Sequence, residues 1–169
     1  MVIPKERFVS GCDFAGYLKT VVAKREDWHK NYQDFQLSES EKKKLSEINK
    51  PFKVLALSED WCPDAVRNLP VIAKVVESLP CADLKIFPRD QNLDLMDQFT
   101  VNGKRKIPTV AFLDENFQVL AVWIEEPAKA GELKEKFGNQ PVGKEKYLLS
   151  LKQAVKEEIF ALLDEIRDR

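Results

Sequence analysis

The run Lys53-Val-Leu-Ala-Leu57 constrains this chain more than any other segment. It is short, β-prone and largely apolar, the pattern of a strand covered on both faces, and it ends at Ser58. Five residues later Pro63 suits the first turn of a helix, where its missing N–H is no loss. Val66, Leu69, Pro70, Ile72, Ala73, Val75, Val76 and Leu79 then continue at helical spacing to Pro80, with Pro70 expected to bend the helix near its middle. Asp83 to Phe87 reads as the next strand. Strand, helix and strand in this order require a right-handed parallel crossover.

The rest of the chain is organised around that unit. Phe14, Tyr17, Leu18, Val21 and Val22 share one helical face, predicting a helix from Asp13 to about Trp28 capped by Asp13. Ser38-Glu-Ser-Glu41 is a capping box opening a second, mostly solvated helix through Leu45 and Ile48, ended by the Asn-Lys-Pro at 49–51. Asn92 to Phe99 predicts a short helix, Thr109 to Leu113 a strand and Gln118 to Ile124 another. The turn Asp114-Glu-Asn-Phe117 is short enough to make those strands an antiparallel hairpin. Helices over roughly 128–137 and 144–168 follow, joined by a loop over Gly138 to Gly143. The last helix carries Tyr147, Leu148, Leu151, Val155, Ile159, Leu162, Leu163 and Ile166 on one stripe, which either covers the sheet or the N-terminal helices or meets a second subunit.

At 169 residues the expectation is one domain with decorations. Apolar residues at 44% and charged residues at 33% describe an ordinary soluble globule, and 27 basic against 28 acidic residues offer no broad field for nucleic acid or anionic lipid. The start Met-Val-Ile-Pro-Lys-Glu-Arg lacks the pattern of a signal peptide, and no run of ~18 apolar residues occurs, so a cytosolic protein without membrane contact is expected. Three widely spaced cysteines, Cys12, Cys62 and Cys81, argue against a disulfide framework and, with His29 the one histidine, against a tetrahedral zinc site. No metal or resident cofactor is expected.

The motif Trp61-Cys62-Pro63-Asp64, the segment Arg89-Asp90-Gln91-Asn92 after the second strand and Ile107-Pro108-Thr109 before the third resemble the thioredoxin superfamily over about residues 52–125. The resemblance implies a thioredoxin-like three-layer α/β/α fold: a mixed sheet with parallel strands, an antiparallel C-terminal hairpin, and extra helices in the flanks 1–50 and 126–169. It also implies that Cys62 is the attacking thiol beside a cis-proline at Pro108, with Ile107 and Pro108 at the substrate. The position where a second cysteine would wait is Ala65. The buried acid and the lysine that help dithiol relatives move protons correspond to Ala56 and Ile86.

A helix start favours a thiolate and lowers a cysteine pKa from about 8.5. Glu59, Asp60 and Asp64 offset part of that effect, so a modest shift is expected. Without a partner at Ala65, a mixed disulfide at Cys62 cannot be resolved within the motif. A helix from Pro63 to Leu79 is ~25 Å long and carries Cys81 to the opposite end of the sheet, while the distance of Cys12 is open. A low-molecular-weight thiol is the most plausible resolver. Cys12 and Cys81 read as structural residues and His29 as a helix-surface residue; Trp61 either binds a partner or packs the rim of the core.

Three functions compete. The favoured one is a monothiol thiol–disulfide oxidoreductase that forms mixed disulfides with protein or small-molecule partners. The second is a binding or scaffolding protein that has lost redox activity, motivated by Ala56, Ala65 and Ile86. The third is a sensor in which Cys62 is oxidised or capped. The sequence leaves monomer and homodimer open.

Overall fold

The structure, a computed structural model, describes residues 1–138 and 143–168. The helices are α1 Lys5–Val9, α2 Phe14–Thr20, α3 Arg25–Asp34, α4 Glu39–Ser46, α5 Pro63–Glu77, α6 Leu93–Met96, α7 Ala130–Phe137 and α8 Gly143–Ile166. The strands are β1 Phe52–Ser58, β2 Ala82–Pro88, β3 Thr109–Leu113 and β4 Val119–Ile124. They form one mixed sheet in the order β2-β1-β3-β4, flanked by helices. β1 runs parallel to β2 and antiparallel to β3, and β3 and β4 form the hairpin. This is a thioredoxin-like α/β fold with extra helices. Among the described residues no helix is long and apolar enough to cross a membrane.

β1 is buried at six of its seven positions, which is why its sequence does not alternate. α5 follows it with Cys62 as N-cap and Pro63 in the first turn, and runs on through the buried Pro70. Much of the stripe of α8 is covered within the chain, with Tyr147, Leu148 and Leu162 only half-buried. Leu151, Val155, Ile159, Leu163 and Ile166 are buried, and α8 packs against α5, α7 and β4. Glu158 of α8 also accepts from Trp123 Nε1 at 2.8 Å and from the Ala128 N–H at 2.7 Å, fixing the end of β4. The loop expected over Gly138 to Gly143 lies, at 139–142, outside the described residues.

The N-terminal flank departs from expectation in three places. The helix predicted from Asp13 to Trp28 is two helices, α2 and α3, separated by an extended Val21 and a left-handed Lys24 (φ 52°). The break has a physical partner: the Asp60 carboxylate accepts from the N–H groups of both Val22 and Ala23 at 2.9 Å, donors that an unbroken helix would use internally. Val22, expected on the buried face, is consequently 84% exposed.

The other two departures are at the sheet edges. Val2 bridges Gln118 beside the start of β4, and Cys12 bridges Ile86 on the outer edge of β2, with α1 between them, so the first twelve residues cover part of both edges. Gly11 permits the second docking, since a Cβ there would lie 2.5 Å from the Phe87 ring.

The capping box at α4 is formed as the sequence implies: Ser38 Oγ accepts from the Glu41 N–H at 3.3 Å, and Glu41 Oε2 accepts from the Ser38 N–H at 2.8 Å. Ser38→Ala is expected to cost about 1 kcal/mol, read as a lower urea midpoint at unchanged slope.

Candidate functional site

β1 ends at Ser58, and the chain turns through Glu59, Asp60 and Trp61 to place Cys62 at the start of α5. Both acids of the turn have structural work. Glu59 Oε1 accepts from the Asp90 N–H at 2.8 Å, and Asp60 takes the two N–H groups between α2 and α3 through its carboxylate and the Trp28 indole N–H, at 2.9 Å, through its carbonyl. The turn before the thiol is therefore clamped from both sides. Trp61 is 47% exposed, with the Arg89 guanidinium 5.2 Å from its ring centre, a cation–π geometry at the rim of the site.

Cys62 itself is 6% exposed, and its thiol donates to the Ile107 carbonyl at 3.5 Å. The Ile107–Pro108 peptide is cis, and Ile107 and Pro108 are both buried. Cys62, Ile107 and Pro108, placed together by the resemblance, are thus gathered at one point. Pro63 is exposed, Asp64 is half-buried and Ala65 is fully buried one helical turn from the thiol.

The electrostatic expectation needs correcting. Burial pushes the Cys62 thiol above its ordinary value; the N–H groups of Ala65 and Asp64, which stabilise the anion, do not overcome it. The Asp64 carboxylate adds to the rise and Arg89 opposes it. Two backbone donors replace only part of the water that a fully hydrated thiolate sulfur would hold, so the loss of hydration outweighs them. Because the folded protein favours the neutral thiol, the stability this group contributes is present below the ordinary thiol range and lost as pH rises through and beyond it. Alkylation of Cys62 in the folded protein is expected to rise with pH at a higher midpoint than in the denatured chain; an equal or lower midpoint contradicts this assignment.

The other two thiols are out of reach. Cys81 precedes β2, whose first residue pairs with Phe52 at the start of β1, whereas Cys62 follows the end of β1, about 23 Å away for seven residues. Cys12, the open case, pairs with Ile86 on the outer edge of β2, three strand spacings or about 14 Å from β3, while Cys62 rests against the loop leading into β3. A disulfide needs Cα atoms within about 7 Å. Cys12 is half-buried, and burial raises its pKa as well. Ala56 and Ile86 are direct partners across β1 and β2 and both are buried, so the two positions where the resemblance expects proton-handling groups form one apolar pair.

The sequence reading missed the far wall of the site. Asn68, fully buried on α5, donates through Nδ2 to the Glu125 carbonyl at 2.8 Å. Glu125 follows β4 in a left-handed conformation (φ 65°), and its N–H donates to the Pro108 carbonyl at 2.7 Å while its carboxylate accepts from Lys106 Nζ. Arg67 holds Asp64 in an ion pair and donates to Asn68 Oδ1 at 3.1 Å. An asparagine between Val66 and Leu69 on an apolar helix face was the one available signal. His29, expected on a helix surface, lies partly buried on α3. Among the described residues no group of three or more His, Cys, Asp or Glu side chains is placed to hold a metal ion.

A family model described as Thioredoxin matches residues 11–138. No curated protein sequence matches. Among solved structures, the chain is similar to a protein of unknown function from Pseudomonas aeruginosa, at 21% identity and a TM-score of 0.76, with 96% of this chain and 98% of that one covered. It is also similar to an HIV epitope scaffold, at 22% identity and a TM-score of 0.72, with 94% and 95% covered. A protein disulfide oxidoreductase from Aeropyrum pernix aligns at 12% identity and a TM-score of 0.44, over 80% of this chain and 53% of that one.

Proposed function

The chain belongs to the thioredoxin family, and from that premise we propose that it is a monothiol exchange protein working through Cys62. The observation that carries the reading is the position of this sulfur: of the three thiols, Cys62 is the one that caps a helix, with two backbone N–H groups stabilising its anion and the Ile107 carbonyl opposite. The Cys62 thiolate attacks one sulfur of a client disulfide, the S–S bond breaks, and the other client sulfur leaves with the electron pair and takes up a proton. Cys62 then holds the first client sulfur in a mixed disulfide. Since Cys12 and Cys81 are remote and position 65 is alanine, an external low-molecular-weight thiol attacks that client sulfur, regenerates the Cys62 thiolate and leaves with the client as a new disulfide. The cycle needs a compartment rich in reduced thiol, such as the cytosol.

Treating the folded protein with cystamine at pH 8 and mapping the adducts by mass spectrometry tests the reading. The expected result is a cysteamine on Cys62, removed by added small thiol, whether or not the exposed Cys81 is also modified. Modification of exposed Cys81 alone, with Cys62 untouched, would sink it. That outcome favours the second reading, a redox-silent binding protein, for which the low exposure of Cys62 beside the exposed Trp61 is the specific support.

A further inference from the structure

The wall facing Cys62 is tied to the helix that carries Cys62. The N-cap of α5 and a residue six positions on reach the same loop from different sides: the Cys62 thiol meets the Ile107 carbonyl, and Asn68 holds Glu125, whose N–H and carboxylate hold Pro108 and Lys106. Glu125 is the node. A glutamate in the left-handed region carries strain that a glycine would not, and such strain persists only where surrounding contacts over-determine it. Here three bonds, to α5 and to both ends of the Lys106–Pro108 loop, do so.

Asn68 is itself constrained. Arg67 Nε donates to Asn68 Oδ1, which turns the amide so that its N–H₂ faces the Glu125 carbonyl. A fully buried amide with both ends occupied is worth keeping only if its partner must stay in place, since an apolar residue would otherwise fill that helix face.

We propose that Asn68, acting through Glu125, is a positioning residue that holds the Lys106–Pro108 loop closed over Cys62 and so sets how readily an incoming sulfur reaches that thiol. The proposal rests on the reading that Cys62 is the working thiol. Releasing the latch lets the loop lift, exposes the sulfur and admits water to it. The charged groups around the thiol are Asp64 with Arg67 on α5, Glu59 and Asp60 in the turn, Arg89 after β2, and Lys106 and Glu125 across the loop. Removing Asn68 takes one acceptor from Arg67, which keeps its ion pair with Asp64, so the charges nearest the thiol stay in place.

The test is the rate of iodoacetamide alkylation of Cys62 relative to that of Cys81 in the same molecule, in Asn68→Leu and in the unaltered protein. Leucine keeps the branching at Cγ, is somewhat larger, and removes the hydrogen bonds. The ratio is expected to rise about tenfold and the pH midpoint of Cys62 to fall, as a better hydrated thiolate requires. A lowered melting temperature with both readouts unchanged would reduce Asn68 to a packing residue and overturn the proposal. Should Asn68→Leu not fold, Lys106→Gln releases the exposed leg of the latch; a smaller rise in the same ratio supports the proposal and an unchanged ratio overturns it. The measurement needs no disulfide exchange. Failure of the cystamine adduct with a raised ratio removes the exchange reading and leaves the latch; the reverse pattern does the opposite.

Discussion

Replacing Cys62 by serine is expected to lower thiol–disulfide exchange at least about 10³-fold, the scale on which loss of an essential nucleophile acts. Serine fits the same space at the N-cap position of α5, where it is a favoured residue, and can donate to the same Ile107 carbonyl, so the fold is expected to survive with a melting temperature near that of the unaltered protein. What is lost is chemical. A thiol pushed above its ordinary pKa by burial still ionises in alkaline solution, whereas a serine hydroxyl stays neutral there and cannot accept a client sulfur into a stable covalent bond. The paired measurement is insulin reduction or exchange with a dye-labelled disulfide, run with an external small thiol in excess. Exchange should also climb with pH in the unaltered protein, because the raised thiol pKa leaves little thiolate at neutrality. Equal rates for Cys62→Ser and the unaltered chain would assign the activity to the added thiol or to Cys81.

The second large effect is structural. Trp28→Ala is expected to destabilise the protein by about 3–5 kcal/mol, a large part of the 5–15 kcal/mol that holds a typical domain folded. Trp28 is fully buried, its ring meets Tyr17 edge-on at 5.4 Å, and α3, which carries it, packs along α5. Its indole N–H also donates to the Asp60 carbonyl at 2.9 Å, two residues before the thiol. Trp28→Phe retains most of the packing and loses that hydrogen bond, so it is expected to cost about 1–2 kcal/mol. Urea unfolding separates the two. A loss below about 1 kcal/mol for Trp28→Ala would mean that α3 does not unfold together with the sheet and α5.

How much of this was legible in the sequence follows from the range of each interaction. The capping box at Ser38, the helix opening at Pro63 and the β3–β4 hairpin each depend on residues within a few positions of one another, and they stand where local chemistry puts them. The break at Val21 to Lys24 was not legible, because the carboxylate that takes the freed N–H groups belongs to Asp60, 37 to 38 residues away. Val22 was assigned to the core for the same reason: helical spacing was extended through a point where a distant acceptor had already ended the helix. The bridges at Val2 and Cys12 were equally silent, since a single paired residue at a sheet edge leaves no periodic trace.

The sequence alone determined that a thiol stands at the start of a helix fed by a buried strand, that position 65 cannot resolve it, and that Ala56 and Ile86 offer no protons. The first follows from a continuous apolar run and the 3.6-residue spacing after Pro63, and the other two from residue identity at positions that the thioredoxin resemblance marks out. The tertiary structure decided the sign of the Cys62 shift, the isolation of Cys12 and the tie from Asn68 through Glu125 to the loop. Desolvation and long-range hydrogen bonds depend on atoms from distant segments: Ile107 lies 45 residues from Cys62, and Glu125 lies 57 from Asn68. Only packing brings such groups within reach of one sulfur.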